Sequence, residues 1–314
     1  MNLFFNEKEY RLRAGWRLLI QFVLFFFISG FAALALHSLW TTSLSIAGAI
    51  PQLIGTVASI WFAARLLDKR PVSAYGLTFD RRWIKDFAAG VFWGSLAIAV
   101  IFAIEWQLGW VTIAGWGWTS STDYSFPVAL LSSFSAMLLV GFYEELLSRG
   151  YQILNLTEGL RYPQLGTRGA AAIATLTTSM LFGFMHAFNP NVSSVAIFNI
   201  IIAGIVLAVP YLLTGSLGLS VGLHFSWNFV QGSVFGYPVS GTMLDASIIR
   251  PAQQGPDFWT GGTFGPEAGA VGLLGMAIML GGTLVYTYRS RRRLALAELF
   301  HIKNELIKSN EQAR

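Results

Sequence analysis

Eight stretches of this chain are apolar for long enough to cross a lipid bilayer, and that feature limits its fold more than any other. A spanning helix needs about 20 mostly apolar residues. Such stretches lie near 17–37, 44–67, 84–106, 127–157, 170–188, 194–213, 217–236 and 268–288. The fifth has the weakest hydropathy because it carries several Thr and Ser residues. Hydrophobic residues make up 54% of the chain and charged residues 12%, roughly half the charged fraction of a soluble domain. Lipid must therefore be part of the solvent. The expected fold is all-α, a polytopic transmembrane helix bundle of about eight spans.

The distribution of charge orients the bundle. Positive residues gather in cytoplasmic loops. Lys8, Arg11, Arg13 and Arg17 precede the first span, and Lys69, Arg70, Arg81, Arg82 and Lys85 follow the second. Arg161 and Arg168 follow the fourth, and Arg289, Arg291, Arg292 and Arg293 follow the last. With eight spans these four segments share one side. On the other side, 107–126 has no Lys or Arg and 237–267 has only Arg250. Both termini are thus expected in the cytoplasm. The first stretch is too long for an ordinary signal-peptide core, so it reads as a membrane helix; cleavage near Ala33-Leu34-Ala35 is the minor alternative.

Residues 1–289 read as the transmembrane bundle, with its core near 60–240, and 290–314 as a basic amphipathic cytoplasmic tail. Within the tail, 290–309 spells a helix with Leu294, Leu296, Leu299, Phe300, Ile302, Leu306 and Ile307 among basic residues. Such a helix suits a surface of anionic lipids. The net charge of +5 is explained the same way, and no nucleic-acid motif is present. The Gly- and Pro-rich stretch 237–267 reads as an irregular outer loop. The absence of cysteine removes disulfides, thiolate ligands and a thiol nucleophile.

Charged side chains inside a span are costly and mark function by default. The fourth span holds Glu144, Glu145 and Arg149 in an otherwise apolar helix. Neighbouring helical residues point about 100° apart, so the two carboxylates cannot serve one target equally. Glu145 and Arg149 are spaced i, i+4 and suit an ion pair. Glu144 is left free, and a partly desolvated carboxylate suits a general base. In the fifth span Phe182 and His186 are again i, i+4, before Asn189-Pro190-Asn191 breaks the helix. In the seventh, His224 and Asn228 share a face. Singly, each of these reads as an interhelical hydrogen bond or ion pair. Together, Glu can activate water while His or Asn donates to a developing oxyanion.

Glu144-Glu145-x-x-x-Arg149, Phe182-x-x-x-His186 and His224-x-x-x-Asn228, in this order on successive apolar segments, resemble the three signatures of the CAAX protease and bacteriocin-processing family, also called the ABI family. Asp68-Lys69-Arg70-Pro71 with Tyr75-Gly76-Leu77 is similar to the linker before that family's core. The resemblance implies an intramembrane glutamic endopeptidase without a cofactor. Glu144 would activate water with help from His186, His224 and Asn228 would hold the oxyanion, and Glu145, Arg149 and Phe182 would be supports. The substrate would be a CAAX-like or other membrane-associated peptide, and the location an integral, cell-membrane one.

Other readings stay open at this point. Glu144, His186 and His224 could ligate zinc, although there is no His-Glu-x-x-His. No Gly-x-Ser-x-Gly marks a serine peptidase. A bacteriocin-immunity protein or other non-enzymatic binder is the rival from another class. The four site residues are expected to converge on one water-filled cavity opening toward the cytoplasm. Depth poses a problem: at 1.5 Å per residue, His224 lies about 10 Å into its span and His186 about 24 Å.

Overall fold

The computed structural model describes residues 3–7, 9–37, 44–119 and 124–301. A small hairpin, β1 (Phe5–Asn6) and β2 (Arg11–Leu12), leads into α1 (Ala14–His37). There follow α2 (Ser45–Phe62), α3 (Arg81–Gln107), strand β3 (Val111–Trp116), α4 (Phe126–Glu145), α5 (Leu154–Gly159), α6 (Gly166–Met185), α7 (Ser194–Thr214) and α8 (Gly218–Phe229). Strand β4 (Ile249–Gln253), the short α9 (Asp257–Thr260) and α10 (Ala270–Arg291) complete the order. Strands β3 and β4 pair antiparallel, with a register shift between Ile113 and Gly115.

Seven helical segments are long and apolar enough to cross a membrane: Ala14–His37, Ser45–Asp68, Arg81–Gln107, Phe126–Gly159, Gly166–Phe188, Ser194–Thr214 and Ala270–Arg291. The protein is an integral membrane protein with an all-α polytopic bundle. The fifth has the lowest mean hydropathy, 1.4, because Thr175, Thr178 and Ser179 are buried against the bundle instead of facing lipid. The remaining expected stretch, 217–236, forms α8 and a five-residue π-helix, Val230–Val234. It is too short for that set of seven, and every residue of α8 but its last, Phe229, is buried. Protein, not lipid, surrounds it, so its sequence can carry His, Asn and Ser.

Glycines bring α8 into the centre. A Cβ on Gly222 would lie 2.2 Å from the Phe87 carbonyl, and one on Gly90 2.4 Å from the Leu219 carbonyl. Small residues allow such backbone approach where no hydrophobic gain drives helices together. On the other flank, Gly141 of α4 sits against the backbone of Phe225.

The helices alternate, and the basic segments collect at one end of the bundle. There the linker motif acts as a fastener. Arg17 of α1, buried, pairs with Asp68 and donates to Asn155 at 2.7 Å. The Tyr75 hydroxyl donates to Asp68 at 2.5 Å. Glu158 takes Arg70 at 2.7 Å and Arg11 at 3.1 Å. Gly76, at φ 87°, accepts the amide of Leu217 and so fixes the start of α8.

The end of α10 corrects one expectation. Its helix stops at Arg291, with Arg292 in the left-handed region at φ 57°. The chain then folds back, with the Ala297 amide on the Leu212 carbonyl at 2.8 Å and Phe300 buried against Tyr211. The continuous surface helix read over 290–309 is therefore absent as far as 301. Leu296, Leu299 and Phe300 pack against the bundle, while Leu294 stays exposed. Ile302, Leu306 and Ile307 lie outside the described residues.

Removing one member of a buried ion pair leaves the other charge uncompensated and costs about 3–5 kcal/mol. Asp68→Ala should lower the thermal midpoint strongly, read by the unfolding of purified protein in detergent. Lys69→Ala, next to it but exposed, should leave it nearly unchanged.

Candidate active site

Glu144 and Glu145 are the last two residues of α4 before the helix widens into a π-helix, Leu146–Ile153. Such turns are rare and recur at functional sites. The neighbours meet different surroundings. The Glu145 side chain is 0% exposed and that of Glu144 21%. Glu145 Oε1 takes Arg149 Nη1 at 3.0 Å, as its spacing requires. The same oxygen accepts from His224 Nδ1 at 2.8 Å. Arg149 also donates to the Gly204 carbonyl at 3.2 Å, and its guanidinium lies 4.4 Å from the centre of the Phe182 ring. Arg149 thus touches α7 and α6 while holding Glu145 on α4.

This chain of contacts orients the imidazole. With Nδ1–H given to Glu145, Nε2 is the ring's free edge, and it stands 3.8 Å from Glu144 Oε2. That is too long for a direct hydrogen bond. Glu144 Oε2 is buried and has no hydrogen-bond partner in the protein. A carboxylate oxygen and an imidazole nitrogen that face each other across such a gap can both touch one water molecule.

His186 lies just beyond α6, in a turn of 3₁₀ helix, His186–Phe188. Its Nδ1 donates to the Phe182 carbonyl at 2.8 Å, and the two rings lie 4.8 Å apart. The i, i+4 spacing is thus realised as a side-chain-to-backbone bond, which leaves Nε2 of His186 for the cavity. Asn228 is one turn beyond His224 on α8 and buried. Glu144, His186, His224 and Asn228 all line one cavity of about 430 Å³. Among the described residues, no three His, Asp or Glu side chains are gathered as a metal ion requires.

The depth problem resolves through α8. Leu217 packs on Gly150, so the start of α8 is level with a residue one and a half turns beyond Glu144. From Gly150 the chain continues to Gly159, about 14 Å further at 1.5 Å per residue. The fifth span starts at that lower level, which is why it needs more residues to reach the site. Phe182 and His224 meet with ring centres 6.2 Å apart.

The side of the cavity is another correction. Its remaining lining comes from Ser45 at the start of α2, Asn189 after α6, and Ser240, Thr242 and Glu267 of the long loop. All belong to the end opposite the basic segments. The cavity therefore does not extend toward the basic end, where Leu146, Leu147, Tyr151, Leu217 and Val221 form a closed apolar cluster.

Sequence reasoning missed three features. The bond from Glu145 to His224 had no signal in spacing, since it joins residues 79 apart. Asn189, whose amide donates to the Ser240 carbonyl at 3.0 Å, was read only as a helix breaker. Glu267 was read as loop. It accepts from Gln231 at 2.7 Å and from the Ser240 amide at 3.2 Å, and burial pushes its carboxyl up to about 7.

Residues 126–230, about a third of the chain, match the family model described as Rce1-like, type II CAAX prenyl endopeptidase Rce1-like. The matched segment contains every motif residue from Glu144 to Asn228. Over that segment the chain is similar to a family of CAAX-type membrane endopeptidases, which supports the resemblance its motifs carry. No curated protein and no solved structure matches it.

Two measurements check this geometry. Arg149→Ala strands the Glu145 carboxylate among apolar neighbours, and its thermal midpoint should fall well below that of Glu144→Gln. For Glu267, the folded state holds the proton more tightly than an ordinary carboxyl near 4.5 would. Its stabilising contribution is present in full below about 4.5 and lost as pH rises through about 7. The midpoint of the native protein should fall between pH 5 and pH 8, and Glu267→Gln should flatten that fall.

Proposed function

We propose that the chain is a glutamic intramembrane endopeptidase of the cell membrane, acting on peptide or membrane-associated substrates. The observation that carries this reading is the relay Arg149–Glu145–His224–Glu144, which ends in an unpartnered carboxylate oxygen facing a cavity. Glu144 takes a proton from water as the water oxygen attacks the scissile carbonyl carbon. Asn228 and His224 border the place where the carbonyl oxygen gains charge; the Asn228 amide donates to it, and His224 Nε2 donates when the ring carries both protons, and hydrogen bonds there lower the barrier most. His186 steadies the water from the other wall. The proton held by Glu144 then passes to the amide nitrogen as the carbon–nitrogen bond breaks. Glu145, Arg149 and Phe182 hold the imidazole in place without touching substrate.

An immunity protein or binder would need no oriented imidazole beside an unpaired carboxylate. The test is turnover of a peptide mixture by purified protein. Glu144→Gln should cut turnover at least about 100-fold while keeping the native thermal midpoint. Activity should survive strong chelators, with metal content well below one per chain. Zinc at one per chain, whose removal stops turnover and whose return restores it, would overturn the glutamic mechanism. Full biological function in Glu144→Gln would overturn the enzyme.

A further inference from the structure

A second cavity lies at the basic end, away from Glu144. It holds about 560 Å³ between the β1–β2 hairpin, the start of α1 and the turn after α5. Its walls include Arg13, Trp16, Arg17, Glu158, Arg161 and Tyr162, and no step of the proposed hydrolysis uses any of them. The hairpin is pinned over the helix start by Phe4, stacked on Trp16 at 4.9 Å, and by the Trp16 indole, which donates to the Leu3 carbonyl at 3.2 Å.

Protein acceptors run out at this wall before the guanidinium donors do. Arg17 is buried and gives Nη1 to Asp68 and Asn155, while Arg161 gives Nη2 to the Phe300 carbonyl. The Nε–H of each is buried and has no acceptor in the protein. Unpaired buried donors are costly, and two of them at one cavity call for an anion nearby. The charge balance calls for the same. Glu9 is paired with Arg11, and Glu158 with Arg11 and Arg70. Among the described residues, the charged groups that line the cavity and their ion-pair partners are Arg11, Arg13, Arg17, Arg70 and Arg161 against Glu9, Asp68 and Glu158, a surplus of two positive charges. Burial lowers the proton affinity of Arg161 by more than Glu158 and Glu9 raise it, so a further anion beside it is favourable. Ala14 and Gly15 bring the positive end of the α1 dipole to the same wall.

Apolar surface leads out of the cavity. Leu19 lines it, and Leu19, Val23, Phe26 and Phe27 continue along one face of α1, each at least 44% exposed. The exposed Trp16 and Tyr162 stand where aromatic side chains mark the bilayer interface. A free anion would fill the basic cavity and leave this stripe uncovered, whereas a phospholipid covers both.

We propose that this cavity binds the headgroup of an acidic phospholipid of the cytoplasmic leaflet, its phosphate held by Arg13 and Arg161 with the charge of Arg17 behind them, and an acyl chain lying along the Leu19–Phe27 face of α1. The lipid joins the hairpin, α1 and the turn after α5 to the Asp68–Asn155 network and so stabilises the basic end. This stands apart from the peptidase reading.

The full-length protein, delipidated in an uncharged detergent, is titrated with phosphatidylglycerol, with phosphatidylcholine of the same acyl chains and with inorganic phosphate. Binding is read by native mass spectrometry and by the thermal midpoint. One phosphatidylglycerol per chain should be retained and should raise the midpoint, phosphatidylcholine should bind at least about tenfold more weakly, and inorganic phosphate should leave the midpoint unchanged. A Cβ on Gly15 would meet nothing within 4 Å, so Gly15→Leu grows into the cavity. Gly15→Leu and Arg161→Gln should each weaken phosphatidylglycerol at least about tenfold. Arg81→Gln removes an exposed cation from the start of α3 at the same end and should weaken it less than about twofold. Equal binding of the two lipids would overturn the acidic headgroup site. Equal losses in Arg161→Gln and Arg81→Gln would reduce it to attraction by surface charge and overturn it too. A midpoint rise with inorganic phosphate as large as with the lipid would overturn the lipid assignment in favour of a free anion. If Arg161→Gln does not fold, Gly15→Leu decides, and undiminished binding there would overturn the site.

Discussion

The rest of the site depends on a buried carboxylate that two cations-in-waiting share. Glu145 sits at zero exposure, where an unpaired charge would be very costly, and its Oε1 holds both Arg149 and His224 Nδ1. Those contacts join α4 to α8. Arg149 then reaches α7 through Gly204 and α6 through Phe182. Four helices from distant parts of the sequence are thereby set around one imidazole. In a bilayer, where apolar surfaces gain little from meeting each other, such polar links and close packing must do the locating. The glycines at 90, 141 and 222 permit the approach, and the ionic centre fixes its register.

The same centre explains why adjacent glutamates differ. Glu145 is enclosed and paired, while Glu144, one residue earlier and rotated by about 100°, keeps one-fifth of its side chain open and an oxygen without a protein partner. The widened turn that begins at Leu146 lets Arg149 fold under Glu145 without drawing Glu144 inward. Environment, not residue type, separates the two carboxylates.

Much of this was legible in the sequence. Hydropathy placed the spans, because twenty-residue apolar runs have few alternatives. Helical spacing identified the Glu145–Arg149 pair, and the three motifs named the residues that line the cavity. What stayed hidden was non-local. The seventh stretch looks like another span, yet α8 is enclosed on all sides, which only the glycine contacts with α3 and α4 reveal. The tail's apolar residues fit a membrane surface as well as they fit the groove beside Leu212 that takes them. Glu267 carries no pattern at all. Its importance comes from a loop whose path depends on the Asn189–Ser240 bond and on the β3–β4 pairing.

That loop is itself held by polar contacts. Irregular backbone is tolerated at membrane depth only where protein or a water-filled space surrounds it. Here the stretch after α8 satisfies its polar groups on its own side chains and on neighbouring helices. Asp245 accepts from the Ser45 amide at 2.9 Å and from the Ser132 hydroxyl at 2.6 Å, tying α2 and α4 together at their outer ends. Gln231, on the turn that ends α8, bridges Glu267 and the Pro238 carbonyl. The basic end is fastened differently, by the Arg17–Asp68–Asn155 network and the Glu158 pairs beneath a dry layer. One end is bound by charge and sealed by packing, and the other is bound by neutral and acidic hydrogen bonds around a cavity. The fold sets its dry wall where its cations anchor it and its cavity toward the end where Arg250 is the single Lys or Arg between spans.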